Sequence, residues 1–335
     1  MKKYLVTVGI DVSKSKLDVR FVFDPSGTDH THFVVANNEK GIKAIIGSLK
    51  KQKIAAEDAL FCFENTGLYS MPLAIYFSKH QLDYWHIPAI EIKRSKGLKR
   101  GKSDKNDAKD IAFYAITHAH KLKLCQLPEL DILKLQVHYS EREKLVKALR
   151  ILQSTKEANS FLPKEVLKQV QQINVKTLLQ LKAAIKKNDA AIMSIVKSND
   201  QINNCFKLIT SVPGVGKQTA IYLIIKTGCF TRFKNWRKLA RYAGVAPFEY
   251  SSGSSIKGKT KVSHFADKSM KALLNMAALS AKKADKELNN YYLRKTAEGK
   301  NPMLVMNAIR CKIISRVFAV IARQTPFVNT QKFAA

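Results

Sequence analysis

The order of strand-like and helix-like segments in residues 1–125 is the feature that most constrains the fold. Three β-rich runs come first, at Tyr4–Ile10, Leu17–Phe23 and His32–Val35. Helices and strands then alternate: a helix capped by Asn37-Asn38, a strand at Ala59–Phe63, a helix at Leu68–Ser78, a strand at Tyr84–Ile87 and a helix at Asp104–His118. This order predicts one sheet with helices packed on its faces.

Three strands in succession, then helix, strand, helix, strand and helix, is the order of an RNase-H-like sheet. A flavodoxin-like sheet also alternates strands and helices, so the order alone leaves both folds open. We predict an α/β, RNase-H-like amino-terminal domain over residues 1–125, with its first strand at the centre.

The rest of the chain is predicted to be mainly helical. Glycine is absent from residues 128–205, and apolar residues recur at helical spacing on both sides of Pro163. We predict an antiparallel pair of long helices over residues 126–205, as a coiled-coil spacer or dimerisation arm. An ordinary helical subdomain packed on the core is the alternative. A mainly α domain follows over residues 206–328, and residues 329–335 form a frayed tail.

The net charge of the chain indicates a polyanionic partner. Lys and Arg number 58 against 26 Asp and Glu, which gives a formal net charge of +32 at pH 7. Each phosphate that a cationic side chain neutralises releases condensed counterions, so this excess favours nucleic-acid binding. Charge is a weak guide to mechanism, and a nucleic-acid binder without chemistry fits it equally well.

Several other classes of protein fit the sequence poorly. No stretch approaches the ~18 consecutive apolar residues of a membrane span. Asp11 follows the basic amino terminus too closely for a signal peptide. The 5 cysteines are scattered without a C-x-x-C pair, which argues against a zinc ribbon or a disulfide framework. We expect a reducing bacterial cytoplasm, in association with the nucleoid.

Carboxylates end two of the predicted strands. Asp11 follows Ile10 of the first apolar run, and Glu64 follows four apolar residues, where an ionised side chain must be paired, metal-bound or at the strand tip. At about 100° per residue, Asp104 and Asp107 lie near the packed face of their helix, whereas Asp110 points towards solvent. Each acid alone could be a cap or turn residue, but capping leaves Asp107 unexplained.

Four carboxylates on three elements predict a metal site at Asp11, Glu64, Asp104 and Asp107. Hard divalent cations take oxygen ligands, and two Mg²⁺ ions ~3.5–4 Å apart can stabilise the attacking and leaving oxygens of a phosphodiester. A basic run lies next to these acids and suits a nucleic-acid backbone, with Arg94, Lys96, Lys99, Arg100, Lys102 and Lys105.

A glycine-rich turn separates two apolar helical stretches at Val212–Lys217. Its spacing is typical of a helix-hairpin-helix turn, in which Gly214 and Gly216 let backbone N–H groups approach a phosphate and Lys217 adds a cation. The spacing differs from that of a nucleotide-binding P-loop. A plain connection between helices is the alternative.

A loop rich in Gly, Ser and Lys is predicted at Ser251–Lys261. Lys257 and Lys259 in this loop are predicted phosphate contacts. A serine next to glycine in a basic loop could act as a nucleophile, but Ser-Ser-Gly-Ser is by composition ordinary linker sequence.

Several segments, taken in order, resemble the DEDD-type insertion-sequence transposases, the family that includes the Piv DNA invertases and the bridge-RNA-guided recombinases. No single segment is decisive, but the ordered set is specific and spans nearly the whole chain. The matching segments are Gly9–Lys14, Phe63–Gly67, Lys102–Ala108, Val212–Gly216 and Gly244–Pro247 leading into Ser252-Gly253.

The resemblance implies a RuvC-like amino-terminal domain that binds metal through an Asp, a Glu and two Asp, which match Asp11, Glu64, Asp104 and Asp107. It also implies a carboxy-terminal serine that attacks DNA covalently, five positions after a proline and just before a glycine. That position is Ser252. The resemblance therefore implies that Ser252 is a nucleophile, although composition alone predicts a linker residue.

We therefore expect a DNA transposase or recombinase that exchanges strands of donor and target double-stranded DNA by Mg²⁺-assisted attack of Ser252, as a homodimer or homotetramer. The resemblance also implies a structured noncoding guide RNA, and the positive charge is compatible with binding both RNA and DNA. The first alternative is a RuvC-like junction resolvase in which water attacks and Ser252 is only a loop residue. The second is a non-catalytic nucleic-acid-binding scaffold.

Overall fold

The computed structural model describes residues 2–24, 30–95, 104–158, 161, 163–252, 256–262 and 265–329. The chain divides into two compact units, Met1–Leu127 and Pro128–Ala335. In the described part of the chain, no helix is both long enough and apolar enough to cross a membrane.

The first unit is built on a five-stranded mixed sheet. Its strands are β1 (Val6–Val12), β2 (Lys16–Val22), β3 (His30–Ala36), β4 (Ala59–Glu64) and β5 (Tyr84–Ile87). They lie in the order β3-β2-β1-β4-β5, which makes β1 the central strand as predicted. β2 pairs antiparallel with both β1 and β3, whereas β4 runs parallel to β1 and β5. The antiparallel pairs exclude the flavodoxin-like alternative, whose strand order and connections differ.

Helices cover both faces of this sheet. Ile42 of α1 and Phe77 of α2 pack with β-strand side chains such as Ile10, whereas Ile111 of α4 packs on the other face with Cys62 and Ile87. The side chain of Asn38 caps α1 by accepting from Gly41 N at 2.9 Å, as predicted. The helices are α1 (Glu39–Lys51), α2 (Met71–Lys79), α3 (Ala89–Ser95) and α4 (Asp104–Thr117).

The alternation of strands and helices is confirmed, with two differences in detail. The α-helix predicted from Leu68 begins at Met71, because Gly67–Ser70 forms a 3₁₀ turn first. The short helix α3 lies between β5 and α4, where the sequence predicted no helix. Its seven residues are too few to show a helical period, and burial of Ile92 against the sheet stabilises it.

Close contact between β1 and α4 depends on Gly9. A Cβ on Gly9 would overlap the carbonyl oxygen of Ala108 and would lie 2.8 Å from the nitrogen of Ala112. The backbones of strand and helix therefore touch directly, and Ala108, Ala112 and Ala115 are buried at this contact.

Within the described residues, the second unit is helical apart from one hairpin. The two predicted long helices, α5 and α6, lie on either side of Pro163 in the sequence. Contacts of Asp131 with Asn199 and of His138 with Asn188 show that the two helices run antiparallel. The helices are α5 (Leu130–Ala158), α6 (Lys164–Ser198), α7 (Asp200–Thr210), α8 (Lys217–Thr227), α9 (Trp236–Tyr242), α10 (Lys268–Ala284), α11 (Lys286–Ala297) and α12 (Pro302–Arg323).

The base of the long helix pair shares one hydrophobic core with the helices that follow. Leu135 of α5 and Val196 of α6 belong to the same buried cluster as Ile224 of α8 and Ile313 of α12. The predicted division of this unit into a spacer, at residues 126–205, and a transposase domain, at residues 206–328, stays a prediction.

The loop predicted at Ser251–Lys261 is instead largely a β-hairpin, formed by β6 (Phe248–Ser252) and β7 (Ile256–Lys261). The two strands pair antiparallel, with Ser252 opposite Ile256. Gly, Ser and Lys are uncommon in strands, so the composition predicted a loop. Backbone pairing between the two strands forms the hairpin despite that composition.

We expect Gly9→Ala to lower the free energy of unfolding of the first unit by about 1–3 kcal/mol or more, because the added methyl group separates α4 from β1. The matched control is Gly47→Ala in α1, where a Cβ would meet nothing within 4 Å. Removing a mid-helix glycine there should raise stability by about 0.5–1 kcal/mol. Urea unfolding followed by circular dichroism measures both; equal effects of the two substitutions would contradict the close contact.

Candidate active site

Asp11 and Glu64 lie side by side at the ends of two neighbouring parallel strands. The register pairs Ile10 of β1 with Phe63 of β4, and each acid follows its strand's paired residue by one position. Ile10 and Phe63 are fully buried in the core beneath α1 and α2. Because side chains alternate between the faces of a strand, Asp11 and Glu64 both face the opposite side, on strands about 4.8 Å apart. Both side chains are partly exposed.

Helix α4 covers this same face, and Asp107 lies next to its contact with β1. The helix touches β1 at Gly9, two residues before Asp11, through Ala108. Asp107 directly precedes Ala108 and is partly exposed. Asp110, which helical phasing placed towards solvent, is also partly exposed, so burial does not separate these two acids.

Asp104 is the first residue of α4, but its side chain lies outside the described part of the structure. Among the described side chains, no three His, Cys, Asp or Glu lie close enough together to hold a metal ion. The four-carboxylate site therefore stays a prediction. The structure pairs Asp11 with Glu64 and brings the segment of α4 that bears Asp107 to their face.

Asp18 is a further acid on the face of Asp11 and Glu64, and it was not predicted from the sequence. It lies opposite Asp11 in the antiparallel pair of β1 and β2, and only 5% of it is exposed. Its carboxylate lies 3.2 Å from Lys16 Nζ and 3.3 Å from His32 Nε2. The alternation of β2 would have placed Asp18 beside Asp11, but only the helix across the face shows that it is buried.

Arg20 adds a buried cation to the same face. It lies opposite Gly9 in the strand pair and is 4% exposed. Its Nε has no hydrogen-bond partner among the described residues, and burial lowers the pKa of its guanidinium. This cation, two residues from Asp18, adds positive potential beside the acids.

Asn37 ties together the two turns that follow the acid pair. Its Nδ2 donates to the carbonyl of Ser13, after β1, at 2.8 Å and to the carbonyl of Tyr69, after β4, at 2.9 Å. Sequence reasoning assigned Asn37 only to the cap of α1. In the fold it positions both turns beside Asp11 and Glu64.

The predicted basic run lies mostly outside the described residues. Arg94, at the end of α3, is exposed. Lys96, Lys99, Arg100 and Lys102 belong to residues 96–103, which the structure does not describe. Their contact with nucleic acid stays a prediction.

The glycine turn connects α7 to α8, and its two glycines have different surroundings. Gly214 has φ +86°, and a Cβ there would overlap the carbonyl oxygen of Ala277 in α10. Packing against α10 therefore accounts for Gly214. Gly216 has nothing within 4 Å of its Cβ position and, with the exposed Lys217, leaves the start of α8 open to solvent. The predicted contact of Gly214, Gly216 and Lys217 with a phosphate stays a prediction.

Ser252 is the last residue of β6, and its side chain lies outside the described part of the structure, as do those of Lys257 and Lys259 in β7. A backbone hydrogen bond joins the segments on either side of this hairpin. Asp267, after β7, donates its backbone N–H to the carbonyl of Tyr242, before β6, at 2.9 Å.

The carboxylate of Asp267 has four partners in addition. Tyr222 Oη donates to its two oxygens at 2.9 and 3.0 Å, and Tyr242 Oη donates at 3.4 Å. Lys226 Nζ lies 3.7 Å away, and Met270 N donates at 2.9 Å at the start of α10. Burial, followed by this carboxylate, raises the pKa of Tyr222. Asp267 therefore connects α8, α9 and α10 at the base of the β6–β7 hairpin, which we call the serine hairpin because β6 ends at Ser252.

Two family models match this chain. A transposase model, DEDD_Tnp_IS110, matches residues 8–162, which include β1, β4 and α4. The model of the Transposase IS116/IS110/IS902 family matches residues 206–293, which include the glycine turn and the serine hairpin. Together the two matches cover most of the chain and each of the candidate site residues.

Curated relatives agree with these matches. The pilin gene-inverting proteins of Moraxella bovis and Moraxella lacunata are each 24% identical over 324 residues, 96% of this chain and 97% of the relative. An uncharacterized protein of the insertion element IS110 in Streptomyces coelicolor is 34% identical over 114 residues, 34% of this chain and 28% of that protein.

The matches define a DNA recombination enzyme of the transposase class. The chain belongs to the DEDD-type insertion-sequence transposase family, which confirms the resemblance seen in its sequence.

We expect Asp267→Ala to lower the free energy of unfolding of the second unit by about 2–4 kcal/mol, since it removes a helix cap and leaves two tyrosine hydroxyls without their acceptor. Asp267→Asn keeps the cap and should cost less. The control is Asn301→Ala, which removes a cap that accepts only from Met303 N and should cost about 1 kcal/mol. Thermal unfolding compares them; a loss for Asp267→Ala no larger than the control would contradict the proposed role of the tyrosines.

Proposed function

We propose that this chain exchanges DNA strands of an insertion sequence by serine attack assisted by Mg²⁺. One observation carries the proposal: Asp11 and Glu64 are neighbours on the sheet face that α4, with Asp107, covers. Relatives that invert a pilin gene or belong to insertion elements support DNA as the substrate. We further propose that the amino-terminal unit is RNase-H-like and RuvC-like in detail.

The donor set fits hard divalent cations. Asp11, Glu64, Asp104 and Asp107 supply only oxygen ligands, which suits Mg²⁺. The three acids whose side chains are described are all partly exposed, so ions and a phosphodiester can reach them. Asp18 has Lys16 and His32 as partners, so we assign it to support and not to metal binding. When bound, two Mg²⁺ ions would polarise the scissile phosphate and stabilise the charge on the attacking and leaving oxygens.

Ser252 supplies the nucleophile in this proposal. Its Oγ forms a bond to phosphorus, a phosphorus–oxygen bond of the DNA strand breaks, and the serine proton passes to the departing oxygen. One DNA end is then held as a phosphoserine, and the other end carries a free hydroxyl. The hydroxyl of a new partner strand can attack this phosphoserine and release the serine. One phosphate ester replaces another at each step, so no ATP is required.

Partners follow from the same proposal. Strand exchange joins two duplexes, a donor and a target, and at least two serines must act, so we propose a homodimer or homotetramer. The excess positive charge supports a second polyanion, and we propose a structured noncoding RNA as a guide. Incubation of the protein with element-end DNA, with and without the flanking transcript, tests the guide.

We expect wild-type protein to form a covalent adduct with element-end DNA that survives denaturing electrophoresis, and we expect Ser252→Ala to abolish it. Ser251→Ala and Ser254→Ala are the matched controls and should keep the adduct. Hydrolysed 5′-phosphate ends without any adduct would instead support the RuvC-like resolvase, in which water attacks.

We expect Asp11→Asn and Asp107→Asn each to reduce strand cleavage by at least about 100-fold, because a neutral amide is a poor ligand for Mg²⁺. DNA affinity should change little. Asp110→Asn, on the same helix and also partly exposed, is the control and should keep near-normal cleavage. Equal losses for Asp107→Asn and Asp110→Asn would show that the assignment of ligands on α4 is wrong.

A further inference from the structure

Five exposed cations lie on helix α9 and in the segment just before it in the second unit. We define the α9 basic surface as Arg232, Lys234, Arg237, Lys238 and Arg241, all of which are exposed. None of these residues figured among the predicted nucleic-acid contacts.

The local structure of α9 places Arg237 and Arg241 on one exposed side. Asn235 caps the helix by accepting from Lys238 N at 3.0 Å. Leu239 and Ala240 are fully buried and fix the helix on the core. Arg237 and Arg241 are four residues apart, so they lie one turn above the other on the exposed side.

The segment before α9 is held in a defined conformation. Cys229 and Phe230 both adopt positive φ, +50° and +69°, and the ring of Phe230 packs edge-on against Phe318 at 5.0 Å. Arg232 N donates to the carbonyl of Thr227 at 3.0 Å. Arg232 and Lys234 are therefore presented by a structured turn that is anchored in the core.

The stretch of sequence that contains the α9 basic surface has no acidic residues. Residues 201–248 contain eight Lys or Arg and not one Asp or Glu. Within the described part of the chain, none of the five cations forms an ion pair, whereas Lys43 pairs with Glu39 and Lys295 pairs with Glu298. Like charges one helical turn apart repel each other in the free protein. A polyanion would relieve that repulsion.

Aromatic rings hold two of the guanidinium groups in place. Arg237 lies over the ring of Trp236 at 4.9 Å, and Arg241 lies over the ring of Phe248 at 5.4 Å. Stacked guanidinium groups keep their hydrogen-bond donors free for a phosphate and lose less side-chain entropy on binding.

The position of Phe248 connects this surface to the serine hairpin. Phe248 is the first residue of β6 and is 41% exposed, and Ser252 is the last residue of the same strand. Four residues of strand span roughly 13 Å. Along duplex DNA that length corresponds to about four base pairs at 3.4 Å each.

We infer that the α9 basic surface binds the phosphate backbone of duplex DNA within about four base pairs of the phosphodiester that Ser252 attacks. The placement relative to the cut rests on the proposed function of Ser252, whereas binding of the DNA backbone does not. The surface recognises phosphates and carries no base specificity of its own.

The test uses the full-length protein carrying Ser252→Ala, in EDTA, and a duplex that spans the junction of an element end and its flanking DNA. Arg237, Lys238 and Arg241 are each changed to Gln. We expect the slope of log affinity against log salt to fall by up to about 3, since each phosphate contact contributes about 0.9. Hydroxyl-radical protection should be lost next to the cut position and kept elsewhere.

The matched control changes Arg294, Lys295 and Lys300 to Gln, which removes three charges near Glu298. Its salt slope and protection should stay close to those of the parent. Equal losses in both triple variants would overturn the inference, because net charge alone would explain them. Unchanged DNA binding with weakened binding of the flanking transcript would also overturn it, in favour of RNA. These binding measurements do not require Ser252 to form an adduct. A failure of the proposed serine chemistry can therefore be distinguished from a failure of the proposed DNA-binding surface.

Discussion

The contact between α4 and the central strand β1 is the interaction on which the first unit depends. Gly9 has no side chain, and Ala108 and Ala112 are small, so helix and sheet approach until their backbones touch. This contact covers one face of the sheet at the point where β1 and β4 end. Asp11 and Glu64 therefore share a face with the segment of α4 that bears Asp107, although Asp11 and Asp107 are far apart in sequence. A larger residue at position 9 would move the helix and separate them.

A buried carboxylate is paired on the sheet face of the first unit, whereas the cations around α9 in the second unit are exposed and form no ion pairs within the described chain. On the sheet face of the first unit, the buried acid Asp18 is accompanied by the ammonium group of Lys16 and by the ring of His32. Burial makes an uncompensated charge costly, so this balance is a condition of folding. In the second unit, the cations around α9 stay in water and have no acidic partners among the described residues. Exposed charge costs little there, and its uncompensated field attracts nucleic acid.

Much of the fold was predictable because its signals are local. Strand β5 begins and ends at the predicted residues Tyr84 and Ile87, and α4 begins at the predicted Asp104. The serine hairpin was predicted as a loop, because backbone pairing forms its strands and its side chains do not signal them. Asp18 and Asn37 were missed for a different reason. Their roles depend on a cross-strand neighbour and on two turns far away in sequence, and no local pattern reports either.

By itself, the sequence determined the order of the elements, the acids that end the strands, the excess of positive charge and the family to which the chain belongs. These properties depend on residue type and short-range spacing, which a linear pattern preserves. Only the tertiary structure decided that Asp11, Glu64 and Asp18 share one face, that Gly214 serves packing against α10, and that the α9 cations have no ion-pair partner in the described chain. Such facts arise from strand register and from contacts between segments that are distant in sequence. Those segments come together only when the chain folds.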